Sequence, residues 1–221
     1  MSTDHIIKSY DDEMTRLAGE LMRMGGMAVD QLQTAITLVR NPRTARAVQV
    51  VEADTPIDML ERTIDTDAVR LLALRAPMAS DLRQVFAALR IASDLERIGD
   101  YAVGIARRTM ALVVAAPENP LQRLEHMADL ALAAVREALD AYHEQDTTRA
   151  RRVWIGDTSL DEAWTDLFRE LLACMRDDAS NIPTCAQMLF MAKHVERIGD
   201  HATNIAEHVW YAVKGEIMPS P

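Results

Sequence analysis

The chain has 221 residues, enough for one large domain or two small ones with a buried core. Hydrophobic residues make up 49% and charged residues 26%, the mix of a folded globular chain, while 8 Gly, 8 Pro and 5% aromatics are few for a β-rich fold. The formal charge of −10, from 24 Lys+Arg against 34 Asp+Glu, disfavours a nucleic-acid partner, because no basic field exists to pair with phosphates. Apolar runs such as 111–116 are far too short to span a bilayer, and no basic-then-apolar leader opens the chain. Cys174 and Cys185 are too few for a disulfide framework and are expected as free thiols near one hairpin turn. These features predict a cytoplasmic helical protein without membrane insertion.

Apolar spacing predicts six long helices, over 4–40, 44–74, 78–114, 119–143, 146–177 and 183–214. The breaks fall at Asn41-Pro42, Ala76-Pro77, the Pro117–Pro120 stretch and Asn181-Ile182-Pro183. The third segment shows the pattern well: Leu82, Val85, Phe86, Leu89, Ala92, Leu95, Ile98, Ala102 and Ile105 follow one another at steps of three and four, one continuous stripe. Within the second segment, Pro56 predicts a kink or a helix restart. Long helices with short loops suit antiparallel bundles.

The chain also repeats itself. Glu96-Arg97-Ile98-Gly99-Asp100 recurs 100 residues later as Glu196-Arg197-Ile198-Gly199-Asp200, with eight identities in the eleven positions up to Ala106 and Ala206. In the preceding helices Asp54-x-x-x-Asp58 pairs with Asp157-x-x-x-Asp161 at an offset of 103. A duplicated three-helix unit accounts for both, with halves over 1–115 and 119–217 joined at Pro117–Pro120. Whether the halves form separate lobes or merge is left open by the sequence.

Residues four apart share a helix face, and Glu96 and Asp100 lie off the apolar stripe. The same holds for Glu196 and Asp200, with Asn204 one turn further on, while Asp54, Asp58, Glu61 and Asp65 form an acidic stripe beside Ile57, Leu60 and Ile64. Asp54–Asp58 and Glu96–Asp100 each lie about 20 residues from the break between their helices, which puts both pairs roughly 30 Å from the turn. Asp157–Asp161 and Glu196–Asp200 likewise agree in level to about one helical turn. Four carboxylates at one level repel one another unless a positive charge intervenes. Oxygen-only ligands suit Mg²⁺, Mn²⁺, Ca²⁺, iron and, less well, Zn²⁺. The competing reading is a solvated helix face, with Arg97 and Arg197 offsetting the charge at i+3. Gly99 and Gly199, costly inside a helix, predict a close approach there.

Other constellations are weaker. No His follows a Glu at i+3, so the ferritin-like di-iron ligand set is absent. His201 and His208 flank the second stripe and read as surface or packing residues, and the 13 methionines read mostly as core. No Gly-rich phosphate loop, nucleophile elbow or nucleophile–base pair appears, so the chain is not expected to be an enzyme.

Over nearly its whole length the sequence resembles the PhoU family. The stretches that carry the resemblance are Ala76-Pro77-Met78-Ala79-Ser80-Asp81-Leu82-Arg83, Asp94 to Asp100, Val195 to Glu207 and Gly215-Glu216. The resemblance implies an all-α tandem of two three-helix bundles, usually dimeric, with metal centres on the bundle surfaces. Carried over by motif, the ligands would be Asp54, Asp58, Glu96 and Asp100 in the first half. In the second they would be Asp157, Asp161, Glu196 and Asp200, with Asn204 as an extra ligand; the ion could be iron, Zn, Mn or Mg. The resemblance further implies a cytoplasmic negative regulator of phosphate uptake and phosphate-starvation signalling. It would contact the ATPase of a phosphate ABC transporter and a sensor histidine kinase, reaching the inner membrane only through these partners. Tyr101 and Gly104 replace the counterparts of His201 and Asn204, and Trp164 replaces that of Glu61, so the two sites are expected to differ. The alternatives are a two-metal phosphohydrolase and a metal-independent helical scaffold.

Overall fold

A computed structural model describes residues 3–75, 77–112 and 115–219. Seven α-helices follow in order among them: α1 (Thr3–Arg40), α2 (Thr44–Glu52), α3 (Asp54–Arg75), α4 (Ser80–Thr109), α5 (Glu118–Glu144), α6 (Thr147–Asp177) and α7 (Ile182–Lys214). Among the described residues there is no strand, and no helix is long and apolar enough to cross a membrane. Ala76 of the second predicted break, and Val113 and Val114 at the end of the third predicted segment, lie outside the described residues.

The segment predicted over 44–74 is two helices. The chain breaks at Ala53, and Pro56 stands in the first turn of α3, where a missing N–H costs nothing. At the corresponding position of the second half, Gly156 runs through an unbroken α6. Local chemistry sets several other ends. The Asp146 carboxylate accepts from the backbone N–H of Thr148 at 2.7 Å and of Arg149 at 3.2 Å, opening α6. Gly215, at φ +74°, closes α7 in the left-handed conformation that such a cap requires.

In the first half α1, α4 and the α2–α3 pair form one antiparallel bundle; α5, α6 and α7 form the second. The halves do not stay apart. One continuous apolar core shared by both halves runs from Leu17 and Leu21 of α1, through Ile57, Ile91 and Ile98, to Leu124, Val135, Val195 and Val209, beside a small satellite of Ala68, Leu71 and Val85. The halves join along two antiparallel helix pairs. On one, α1 meets α5: Arg40 pairs with Glu125 at 2.7 Å and Arg136 donates to Gln33 at 2.9 Å. On the other, α4 crosses α7, the equivalent helices of the two repeats. Arg83 donates to the Ala212 carbonyl near one end of this crossing, and Arg108 to Gln187 near the other.

The crossing is a pseudo-two-fold, centred where the Tyr101 and His201 rings meet at 5.7 Å. On one side Asp94 faces His201, Asn204 and His208. On the other, His194, the repeat equivalent of Asp94, faces Tyr101, Gly104 and Arg108. A Cβ on Gly104 would lie 2.8 Å from His194 Nε2, so the imidazole takes the space a side chain would need. Gly19 in α1 has nothing within 4 Å of its Cβ direction. Gly104→Ala is therefore expected to destabilise the protein by about 1–3 kcal/mol through overpacking, less any helix-propensity gain. Gly19→Ala should stabilise it by about 0.5–1 kcal/mol. Urea unfolding followed by far-UV circular dichroism checks both.

Candidate functional site

Two acidic clusters lie on the α3–α4 and α6–α7 hairpins. In each helix the apolar positions are drawn into the core: Ile57 and Ile64 in α3, Leu95 and Ile98 in α4, Leu160 and Leu167 in α6, Val195 and Ile198 in α7. The carboxylates one position away in register are left on the shared outer flank. Glycine sets the depth of the first cluster. A Cβ on Gly99 would stand 3.1 Å from Asp54 Oδ1 and 3.1 Å from Gln31 Oε1, so the bare backbone of α4 admits Asp54 to the seam between α3, α4 and α1. In the second cluster the Leu160 side chain fills the space over Gly199, with Asp157 Oδ1 beside it at 3.7 Å from the Cβ position.

The first cluster gathers Asp54, Asp58 and Glu61 from α3 with Glu96 and Asp100 from α4. Burial pushes Asp54 above the usual carboxylate range; the Gln31 amide at 3.2 Å opposes this, and the charges of Asp58 and Asp100 add to it. Glu96 is raised by burial and then by Asp100, with Glu61 and Asp58 contributing and Arg97 opposing. Glu61 is raised by burial, Asp65 and Asp58. Arg97 bridges the α4 pair, 3.3 Å from Glu96 Oε2 and 2.9 Å from Asp100 Oδ2. Gln31 donates to both Asp54 and the Val50 carbonyl, while its own Oε1 is buried without a partner.

The second cluster gathers Asp157 and Asp161 from α6 with Glu196 and Asp200 from α7. Asp157 is raised by burial, then by Asp161 and Asp200, with a hydrogen bond from Thr203 opposing. Asp200 is raised by burial and by Glu196, against Lys193, His201 and Arg197. Glu196 Oε1 pairs with Lys193 at 2.6 Å, but its Oε2 is buried and unpartnered. Lys193 also lies over the Trp164 ring, at 5.8 Å from the centroid, where the first cluster has Glu61. The second cluster thus holds one acid fewer.

Oxygen donors, mutual repulsion and an orphaned buried oxygen beside each cluster suit a hard cation. Among the described residues, however, no three His, Cys, Asp or Glu side chains converge as a metal cage. A cation would have to draw the carboxylates inward, away from Arg97 and Lys193.

Asn204 lies elsewhere. Its amide donates to Asp94 Oδ1 at 3.4 Å across the α4–α7 crossing, and Thr203 is the neighbour of Asp157. Tyr101 and Gly104 likewise face the crossing, so those substitutions differentiate the junction of the halves rather than the acidic clusters. Asp94 is 8% exposed and was not among the expected functional residues. It lies 2.8 Å from His201 Nδ1 and 3.3 Å from His208 Nε2. Burial would push it up, but the hydrogen bonds and charges of the two histidines prevail and hold it below the usual carboxylate range. An acid placed between Ile91, Leu95 and Ile98, on the apolar face of α4, was the signal available in the sequence.

Fold and clusters together define a class: a duplicated all-helical protein with a carboxylate cluster on the last hairpin of each repeat. A family model described as PhoU domain matches residues 21–109 and 124–209. The chain belongs to the PhoU family. It is 48% identical over 217 residues to a phosphate-specific transport system accessory protein PhoU homolog of Xylella fastidiosa (strain 9a5c), covering 98% of this chain and 92% of that one. A homolog of the same description from Caulobacter vibrioides (strain NA1000 / CB15N) is 43% identical over 219 residues, covering 99% and 95%. Among solved structures, PhoU from Pseudomonas aeruginosa superposes with a TM-score of 0.90 at 35% identity, covering 94% of this chain and all of that one. The phosphate transport system regulatory protein PhoU from Streptococcus pneumoniae gives 0.88 at 28%, covering 96% of this chain and all of that one.

The raised carboxyls generate a pH prediction. A folded-state pKa above the unfolded value contributes stability that is present at low pH and lost as pH rises through the folded value. Asp54, Glu61, Glu96, Asp157 and Asp200 are all shifted this way. In chelator-treated protein, the change in thermal midpoint from about pH 5 to pH 7 should therefore be more negative in the wild type than in an Asp54→Asn/Asp157→Asn variant, which keeps the opposing contribution of His194. An equal or less negative change in the wild type would contradict the burial and repulsion described.

Proposed function

We propose that the protein is a metal-binding accessory and regulatory protein of a phosphate transport system. It acts in the cytoplasm as a homodimer and restrains phosphate uptake and starvation signalling by contacting the transporter's ATPase and a sensor histidine kinase. The transport role rests on family membership and on relatives named as accessory proteins of phosphate-specific transport. The observation that carries the metal reading is the repetition, in both halves, of an α-hairpin carboxylate cluster whose members are raised by burial and then by one another.

Asp54, Asp58, Glu96 and Asp100 would hold one cation, and Asp157, Asp161, Glu196 and Asp200 another. A bound ion would supply the positive charge that these oxygens lack and tie the two helices of each hairpin at one level. Arg97 and Lys193 act as tethered counterions in its absence and give way to it. Activity lies in binding rather than turnover, in keeping with relatives named as accessory and regulatory proteins of phosphate transport. Trp164 and Lys193 in place of a further acid make the second centre the weaker one.

A Glu96/Asp100/Glu196/Asp200→Ala variant tests this by elemental analysis after chelator-free purification and exposure to Mn²⁺, Mg²⁺, iron and Zn²⁺. Wild-type protein should retain bound metal and the variant should lose it, with far-UV helicity unchanged. Equal metal content in the two, or none in either, would remove the metal from the function.

A further inference from the structure

We propose that the cavity at the α4–α7 crossing, beside Arg83 and Arg90, seats a segment of a partner protein that carries a large apolar anchor flanked by carboxylates. Such a contact deepens the regulatory reading above, on which it rests, and needs no metal.

The duplication accounts for the cavity. Positions 100 apart in α4 and α7 are equivalent about the pseudo-two-fold, so each end of the crossing can be compared with the other. At one end Arg108 fills the space. Its guanidinium carbon lies 4.1 Å from the centre of the Phe190 ring, and it donates to Gln187 at 3.1 Å and to His194 at 3.4 Å. At the other end His208 stands in place of Arg108, Ala87 in place of Gln187 and Arg90 in place of Phe190. His208 is drawn inward to Asp94, 3.3 Å away, and a methyl group replaces an amide. A cavity of about 660 Å³ is left there, between the two helices and the chain that follows α7.

Its lining is apolar and locally reverses the charge of the chain. Ala87 and Met218 are buried at its floor, and Leu82, Phe86 and Tyr211 form its walls. Gly215 turns the chain after α7 at φ +74°, and a Cβ there would stand 3.2 Å from Arg83 Cζ. Arg83 also donates to the Ala212 carbonyl at 3.3 Å, which fixes its guanidinium at the cavity's edge. Glu207, the one carboxylate of the lining, is engaged by Trp154 Nε1 of α6 at 3.1 Å. Arg90 is exposed and has neither a hydrogen bond nor an ion pair among the described residues. On a chain of formal charge −10, two guanidiniums bordering an apolar cavity select a ligand that is itself acidic.

The rim decides between a small molecule and a protein segment. Small-molecule sites enclose roughly 70–90% of their ligand. Here Phe86 is 47% exposed, Tyr211 45% and Ile217 90%, so the apolar surface continues outside the cavity. Only a ligand that extends past the mouth covers it. An apolar side chain seated between Phe86 and Tyr211, with carboxylates on either side reaching Arg83 and Arg90, matches both the shape and the charge.

The test pans a phage-displayed library of random peptides of about twelve residues on the full wild-type chain, then measures the enriched peptides by fluorescence anisotropy. Phe86→Ser and Arg90→Glu alter exposed side chains, so both variants should keep wild-type far-UV helicity and urea midpoint. Enriched peptides should pair an aromatic or aliphatic anchor with acidic neighbours, and each variant should bind them at least about tenfold more weakly. Phe190→Ser, at the filled end of the crossing, should bind them as the wild type does. No enrichment, a basic or uncharged consensus, or equal binding by Phe86→Ser and Arg90→Glu would overturn the proposal. So would dodecanoate binding that needs Phe86 and Arg90 while no peptide is enriched, which makes the occupant a small amphipathic acid. A lower sedimentation mass in either variant than in the wild type would make the occupant a second copy, with the same consequence. Binding is read without metal, transporter or kinase, so failure here removes this surface and leaves the metal reading to its own elemental analysis.

Discussion

Apolar seams that force like charges together govern this molecule. Ile57 and Ile64 of α3 share the core with Leu95 and Ile98 of α4, and Leu160 and Leu167 of α6 share it with Val195 and Ile198 of α7. Each such side chain contributes about 1.5–3 kcal/mol on burial. A like-charge pair about 4 Å apart and exposed to water costs on the order of 1 kcal/mol. The apolar term wins, so the hairpins close with their carboxylates still facing one another. Electrostatic energy is then held at two points on the outer flank, and the cation proposed above would release it on binding.

The junction between repeats follows from the same duplication. Because α4 and α7 are equivalent helices crossing antiparallel, each position meets the neighbourhood of its own counterpart. Divergence after duplication therefore acts in pairs. Asp94 on one side of the axis is answered by histidines and an amide, and His194 on the other by a phenol, a glycine and an arginine. The first arrangement is a polar clasp around a buried carboxylate. In the second, the imidazole is held below its usual pKa by burial, then by Arg108 and Arg197, and so stays neutral. A symmetric junction thus became two chemically distinct ones.

Much of this was legible beforehand. Helix periodicity, the breaks at proline and asparagine, and the 100-residue repeat sufficed for the all-α tandem, because local rules determine those features. The shared level of Asp54–Asp58 and Glu96–Asp100 followed from counting residues to the turn. What escaped depends on tertiary direction. Nothing local distinguishes Asn204, which faces α4, from Thr203, which faces Asp157; they differ by about 100° on the helix. Gln31 reaches Asp54 from a helix distant in sequence, and the break at Ala53 preceded Pro56 by three residues instead of falling on it. Whether the halves merge was decided by residues such as Leu139, which packs over Gly25 of α1.

The most direct measurement removes charge without removing shape. Asp54→Asn with Asp157→Asn keeps the side-chain oxygen at each position while deleting one negative charge from each cluster. Unfolding free energy at pH 7 in the presence of chelator should be equal to or greater than that of the wild type, because the clusters are repulsive when no cation is bound. A loss of stability would contradict the account, since it would make these carboxylates net contributors to the fold itself.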